Sequence, residues 1–194
     1  AIRRILIETP FYGAVLLRLD RRYDQSLPVA MDLTWQEPYW QIMINPAQVL
    51  TQSITDVMAL LRHQVLHLLW EHPIRYAPAI QEGQHQVVSL ATDIAINQVL
   101  PSLYSNAVTI ENVEKTYKLT LPRHADSSEY YRLLKSVIKT NGMGGSDNPL
   151  TESGQHFGWQ TGQAGAAQVT LKRLFRDVMT DQNWVQPGRG KLPV

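Results

Sequence analysis

Residues 61–72 of the chain read LRHQVLHLLWEH, with two histidines, His63 and His67, four positions apart in an apolar run. Side chains four residues apart on an α-helix project from the same side, so both imidazoles can reach one ion. The spacing is that of the zinc-binding motif H-E-x-x-H, but Gln64 stands where the motif has glutamate. The stretch therefore predicts a metal-binding helix. The question it raises is whether a helix with Gln64 in place of glutamate could still support hydrolysis.

The histidine pair falls within a helix that the sequence predicts over residues 54–72. A capping-box pattern, S-I-T-D, precedes it, no proline or glycine interrupts it, and Pro73 ends it. His72 follows His63 by nine residues, about 180° around the helix axis. We therefore expect His72 to close the helix C-terminus, where a cation is favoured, rather than to join the pair.

A carboxylate in a second predicted helix, residues 84–100, is the candidate third ligand. Asp93 is embedded in the apolar run VVSLATDIAINQVL, and a carboxylate is costly to bury there unless it is paired or bound to a cation. Asn97, one turn later, has two readings, a partner that orients a ligand or a cap for local backbone. Two alternatives involve no metal. Asp93 could lie on a solvated face of its helix, and His63 and His67 could be partly exposed on theirs.

Composition limits what kind of protein this is. The chain has 194 residues, 44% of them hydrophobic, a net charge of +1 and no cysteine. A metal must therefore be held by histidine and carboxylate, and the basic stripe of a nucleic-acid binder is missing from the sequence. No apolar run approaches the roughly 18 residues of a membrane span, and no signal peptide is visible. We expect one domain over residues 1–194, in the cytoplasm, with neither nucleic acid nor membrane as partner.

The remaining patterns predict an α+β fold, mostly helical, with a small β-sheet. An amphipathic helix is expected over residues 9–22 and a hairpin from strands at 28–35 and 39–45. Further helices are expected at 127–139 and 168–179. Between them, residues 141–168 form a long glycine-rich loop, and residues 183–194 read as a C-terminal connector.

The predicted loop contains one more candidate, the histidine of QHFGW. His156 could donate a hydrogen bond to a substrate oxyanion or serve as a fourth metal ligand. A histidine on the surface of the loop is the plainer alternative. His156 and Gln64 are the candidate catalytic residues of this sequence.

Several stretches together resemble a zincin-like metallopeptidase domain that commonly precedes a von Willebrand factor A-like domain in bacterial proteins. They occur in the same order and cover nearly the whole chain: PFYGAVLLRL, INP, LRHQVLHLLWEHPIR, ATDIAINQVL, QHFGW and GRGKLP. The resemblance implies a zincin-like fold with a small sheet beside the metal-binding helix. It implies zinc bound by His63, His67 and Asp93, a polypeptide substrate or ligand, and a von Willebrand factor A-like domain C-terminal to this chain.

The departure from that family is Gln64, which stands at the position of its glutamate. In a zincin the glutamate takes a proton from the zinc-bound water and passes it to the leaving amine. Glutamine can orient the water but cannot accept the proton, so we expect metal binding with hydrolysis absent or much reduced. Two alternatives stay open at this point, an active zinc hydrolase with another base such as Glu71, and a metal-free protein-interaction domain.

Overall fold

The computed structural model describes residues 1–141, 156, 159 and 164–180, which form ten helices and one three-stranded sheet. The strands are β1 (Asp20–Tyr23), β2 (Met31–Gln36) and β3 (Tyr39–Ile44). The helices, in chain order, are α1 (Ile2–Glu8), α2 (Pro10–Arg18), α3 (Pro46–Leu50), α4 (Ile54–Leu69), α5 (His72–Arg75), α6 (Ala77–Gln81), α7 (His85–Asn97), α8 (Ile110–Tyr117), α9 (Ser127–Asn141) and α10 (Ala164–Thr180). The predicted class, α+β and mostly helical with a small sheet, is confirmed.

The sheet has the strand order β1-β3-β2. Strands β2 and β3 form the expected antiparallel hairpin, in which Trp35 pairs with Trp40. Strand β1 was not predicted, because its residues, DRRY, lie at the end of the helix expected over 9–22. They pair in parallel with β3, from Asp20 opposite Gln41 to Tyr23 opposite Ile44, and all four are exposed. This strand is therefore specified by tertiary pairing rather than by an apolar pattern.

The N-terminal helices are divided at Thr9. A residue before proline is driven towards extended backbone, and Thr9 has φ −140° and ψ 76°. Pro10 then begins α2, a position where its missing N–H costs nothing. The helix expected over 9–22 is thus shorter, and the chain turns into β1 after Leu19, which is itself extended.

The two helices that carry the candidate ligands pack against each other in the interior. Helix α4 is buried from Val57 to Leu68, and a small apolar cluster joins it to α7 and the residues that follow: Leu66, Ile96 and Leu100. Ser53 caps α4 by accepting a hydrogen bond from the Asp56 N–H, as the capping pattern predicts. The buried sides of α4 and α7 therefore face one another across the core.

Helix α10 packs against α2 and β3, and the buried Trp40 Nε1–H donates to the Ala167 carbonyl at 3.0 Å. It begins at Ala164, four residues before the predicted start, so the last residues of the loop expected over 141–168 are helical. The connector expected at 183–194 lies outside the described residues. No helix in the described ranges is long and apolar enough to cross a membrane.

Candidate metal centre

Four buried side chains converge between α4 and α7. His63 and His67 project from α4, Asp93 projects from α7, and His156 comes from the stretch between α9 and α10. One potential ligand atom from each residue lies within 4.8 Å of the others. The structure thus brings together the three predicted ligands and the loop histidine.

The atoms that meet at the centre are the Nε2 nitrogens and one carboxylate oxygen. Asp93 Oδ1 lies 3.4 Å from Nε2 of His63, 3.3 Å from Nε2 of His67 and 2.9 Å from Nε2 of His156. The Nε2 atoms of His63 and His67 are 2.7 Å apart. Two imidazole lone pairs at this distance repel each other unless a proton or a metal ion lies between them, so the pair is chemically suited to a cation.

Three residues outside the cluster, here called outer partners, face the Nδ1 nitrogens of its histidines. The first outer partner is Asn97, which orients His63. Its Nδ2 donates to the Val108 carbonyl at 2.8 Å, which directs Oδ1 towards Nδ1 of His63 at 2.9 Å. The amide oxygen can only accept, so His63 donates from Nδ1 and turns the Nε2 lone pair to the centre. Asn97 therefore contacts both His63, through Oδ1, and the backbone, through Nδ2.

His72 is the second outer partner, and its predicted position was wrong. Glu71 adopts a left-handed conformation, with φ 56°, between the end of α4 at Leu69 and the start of α5 at His72. His72 is therefore not a continuation of the helix. It is fully buried, with Nδ1 3.1 Å from Nδ1 of His67.

The third outer partner, Asp32, was not found from the sequence. It lies in β2, is 2% exposed, and has Oδ1 3.6 Å from Nδ1 of His156. Its neighbours Met31 and Leu33 are also buried, so a carboxylate occurs in a strand that is buried on both faces. An aspartate within the strand-forming run VAMDLTW was the signal that could have drawn attention to it.

His156 is held by aromatic packing. Its ring stacks on Trp159 with the ring centroids 3.8 Å apart and the planes 9° from parallel. Trp159 also meets His67 edge-on at 4.9 Å. His156 is 5% exposed, so the expectation of a surface loop histidine does not hold.

The electrostatics of the centre favour one positive charge beside Asp93. Burial lowers the pKa of His67 well below its usual range, and burial together with Arg75 lowers the pKa of His72 to about 3. Burial opposes ionisation of Asp93, but His156 and the hydrogen-bonded histidines hold the pKa of Asp93 well below its usual range. Against the effect of burial, Asp93 and Asp32 raise the pKa of His156 to about 9. The carboxylate thus attracts either a proton on His156 or a metal ion.

The donor set fits a first-row metal ion such as zinc. Zinc binds imidazole nitrogen and carboxylate oxygen at about 2.0–2.2 Å, so the ligand atoms of a tetrahedral site lie about 3.3 Å apart. The four separations given above run from 2.7 to 3.4 Å, and all four ligand atoms lie within 4.8 Å of one another. Asp93 Oδ2 is buried and has no hydrogen-bond partner among the residues that the structure describes. A cation beside this carboxylate would satisfy it.

Gln64 and the alternative base, Glu71, lie in different surroundings. Gln64 is 3% exposed, and its Oε1 has no hydrogen-bond partner within the described ranges. Glu71 does not belong to the four-residue cluster. It accepts a hydrogen bond from Gln168 Nε2 at 3.2 Å and lines a surface pocket with Trp70 and Arg75.

Comparison with known proteins identifies a matching family. The model of the family described as "Putative metallopeptidase domain" matches residues 1–187. An uncharacterized protein of Thermotoga maritima is 30% identical over 118 residues, which are 59% of this chain and 28% of that protein. The chain therefore spans less than a third of this relative's length. No solved structure matches the chain.

Proposed function

This chain belongs to the family described as "Putative metallopeptidase domain", and on that premise we propose that it is a zincin-like, zinc-binding domain with peptidase activity absent or much reduced. His63, His67 and Asp93 hold the zinc. The observation that carries the proposal is the convergence of inward-facing imidazole nitrogens on one buried carboxylate oxygen, Asp93 Oδ1.

The chemistry of the donors favours zinc over the hard divalent cations. Calcium and magnesium select oxygen ligands, whereas imidazole suits zinc and other first-row transition metals. The chain has no cysteine, so neutral histidine supplies the nitrogen donors and Asp93 supplies the charge. Asn97 and His72 support a metal-binding role for His63 and His67, because metal-binding histidines in proteins are held by hydrogen bonds to the second ring nitrogen.

Gln64 is a first reason for weak or missing hydrolysis. Zinc in a site of this kind lowers the pKa of a coordinated water towards 7. The Gln64 carboxamide can accept a hydrogen bond from water at Oε1, which is buried and without a partner in the described part of the chain. It cannot bind the proton itself, so no group at position 64 carries the proton to a leaving amine.

Neither alternative is favoured by a contact in the structure. Glu71 is hydrogen-bonded to Gln168, follows the end of α4 and is not part of the four-residue cluster. A metal-free interaction domain would balance Asp93 with a proton on His156, whose Nε2 lies 2.9 Å from the carboxylate. It would still need a proton between the Nε2 atoms of His63 and His67, which lie 2.7 Å apart, and it would leave Asp93 Oδ2 without a partner among the described residues.

Family membership also supports a polypeptide as the ligand of this domain. The Thermotoga relative is more than three times as long as the matched stretch, which is consistent with a domain that acts inside a larger protein. We propose a von Willebrand factor A-like domain as its C-terminal neighbour and the cytoplasm as its compartment. Binding of unfolded polypeptide by the purified chain tests the proposal that a polypeptide is the ligand.

Metal content tests the proposed function. The chain is purified without a histidine tag or added metal, and bound metal is measured by elemental analysis and native mass spectrometry. We expect about one zinc per chain, lost in His63→Ala and in the near-isosteric Asp93→Asn, and retained in His85→Ala, which alters a histidine outside the cluster. A folded chain that takes up no zinc, or an Asp93→Asn variant with full occupancy, would contradict the proposal.

A further inference from the structure

We propose that His156 is a fourth protein ligand, so that four side chains complete the coordination of the zinc and the ion cross-links the fold instead of activating water. The inference rests on the proposed zinc site and adds to it both a ligand and a role. Of the two roles that the sequence leaves open for His156, it takes that of a metal ligand rather than that of a donor to a substrate oxyanion.

The three histidines share one arrangement of their ring nitrogens. In each, Nε2 faces Asp93 Oδ1, at 3.4 Å for His63, 3.3 Å for His67 and 2.9 Å for His156. In each, Nδ1 faces an outer partner. Nδ1 of His63 lies 2.9 Å from Asn97, Nδ1 of His67 lies 3.1 Å from His72, and Nδ1 of His156 lies 3.6 Å from Asp32. An outer carboxylate beside the second nitrogen is a common support for a metal-binding histidine. His156 is thus placed as the two helical histidines are.

The packing of His156 matches a fixed ligand rather than a mobile donor. Its ring lies flat against Trp159, which is fully buried and also contacts His67. The side chains of the cluster are 0–5% exposed. A group that donates to a substrate must meet the substrate, whereas a ligand of a structural ion needs no access to solvent.

The number of protein ligands separates the two kinds of zinc site. Structural sites are closed by four protein ligands, whereas catalytic sites have three and keep the fourth position for water or substrate. With His63, His67 and Asp93 alone, the chain would have the second kind of site. With His156 it has the first, and a glutamate at position 64 would then have no coordinated water to deprotonate. A closed site therefore gives a second reason, independent of Gln64, for the lack of hydrolysis.

The competing explanation is that His156 only hydrogen-bonds Asp93 and leaves the ion with three protein ligands. X-ray absorption at the zinc edge distinguishes the two in the unaltered full chain. We expect four coordination with three imidazoles and one carboxylate oxygen. Two imidazoles and an additional light-atom ligand would overturn the inference while leaving the proposed zinc site intact, and a chain that binds no zinc would defeat both.

A variant tests the same point through chemical rescue. His156→Ala should weaken zinc binding at least tenfold in competition with a chelator, and millimolar imidazole should restore most of the lost affinity. Cobalt(II), used as a spectroscopic probe, should show a ligand-field spectrum that changes on adding azide in His156→Ala but not in the unaltered chain. His85→Ala is the matched control.

Rescue by imidazole also guards against misfolding, because an unfolded variant would not regain the spectrum of the unaltered chain. Asp32→Asn, which removes only the charge facing His156, provides a milder change and should weaken zinc binding without adding a response to azide. Unchanged zinc affinity in His156→Ala, or an azide response in the unaltered chain, would overturn the inference.

Discussion

The Gln64 side chain lies on the metal-binding helix one residue after His63, with a buried carboxamide oxygen that has no partner in the described structure. Exchanging the amide for a carboxylate supplies a proton acceptor without altering any ligand. We expect Gln64→Glu to leave zinc affinity within a fewfold of the original. On its own it should not restore hydrolysis, because His156 occupies the position that water needs. In Gln64→Glu/His156→Ala, loaded with excess zinc, peptide cleavage should exceed that of His156→Ala by about 10²- to 10⁴-fold.

Cleavage of a peptide library or an unfolded protein by all four forms is the measurement for this prediction. Robust zinc-dependent cleavage by the unaltered chain would show that another base acts, and Glu71 would be the first residue to replace. Cleavage by Gln64→Glu alone would show that position 64 is the sole block.

His72 is expected to strengthen metal binding from outside the ligand set. Its Nδ1 is 3.1 Å from Nδ1 of the buried His67, so it holds the ring orientation that turns Nε2 to the centre. Removing such an outer partner costs about 10- to 100-fold in metal affinity. We therefore expect His72→Ala to weaken zinc binding by that factor. His72→Asn, which can place a polar atom near the original Nδ1 position, should lose less.

Chelator competition on the two His72 variants gives this comparison directly. Equal affinities for the alanine variant and the unaltered chain would show that His67 needs no outer partner.

At the scale of the elements, helices α4 and α7 could be predicted because their signals are local. Capping residues precede α4, apolar residues run through both helices, and the embedded Asp93 indicates a buried polar group. The i, i+4 pair then follows from helical geometry alone. The hairpin of β2 and β3 was likewise found from two short runs rich in β-formers with a turn between them.

The elements that could not be predicted depend on contacts distant in sequence. Strand β1 is exposed and charged, and only its pairing with β3 makes it a strand. The position of His72 depends on a left-handed turn at Glu71, a conformation that the sequence does not signal because glutamate rarely adopts it. The approach of Asp32 to His156 joins residues 124 positions apart, and no helical or strand period relates them.

The junction of α1 and α2 depends on a glycine. A Cβ added at Gly13 would lie 2.4 Å from the Leu6 Cα and 2.8 Å from its Cβ, so the two helices would have to separate. We expect Gly13→Ala to lower the free energy of unfolding by about 1–3 kcal/mol. Gly165→Ala is the control, because nothing lies within 4 Å of its added Cβ and alanine favours the helix by up to about 1 kcal/mol.

Urea unfolding of the two glycine variants tests this packing. A Gly13→Ala variant as stable as Gly165→Ala would show that α1 and α2 can move apart without cost.

At the scale of the whole molecule, the proposed zinc ties together parts of the chain that are far apart in sequence. Its ligands come from α4, from α7 and from the stretch between α9 and α10. An ion that binds only the native state, present at about 100 times its Kd, adds about 2.7 kcal/mol to the free energy of unfolding. For a chain of this size that corresponds to about 5–10 °C in Tm. We therefore expect a strong chelator to lower Tm by about that amount, with full recovery on adding zinc.

Thermal unfolding of Asp93→Asn is the control for the chelator, because a variant that binds no zinc should not respond to it. An unchanged Tm in the unaltered chain after verified removal of zinc would contradict a cross-linking role.

Anomalous X-ray diffraction at the zinc edge, on crystals of the chain purified without added metal, tests the central claim most directly. The account predicts one strong anomalous peak at the centre of the buried cluster, within bonding distance of Asp93 and of Nε2 of His63, His67 and His156. It predicts no peak in crystals of Asp93→Asn. A well-ordered cluster without a peak, or a peak bound elsewhere on the chain, would contradict it.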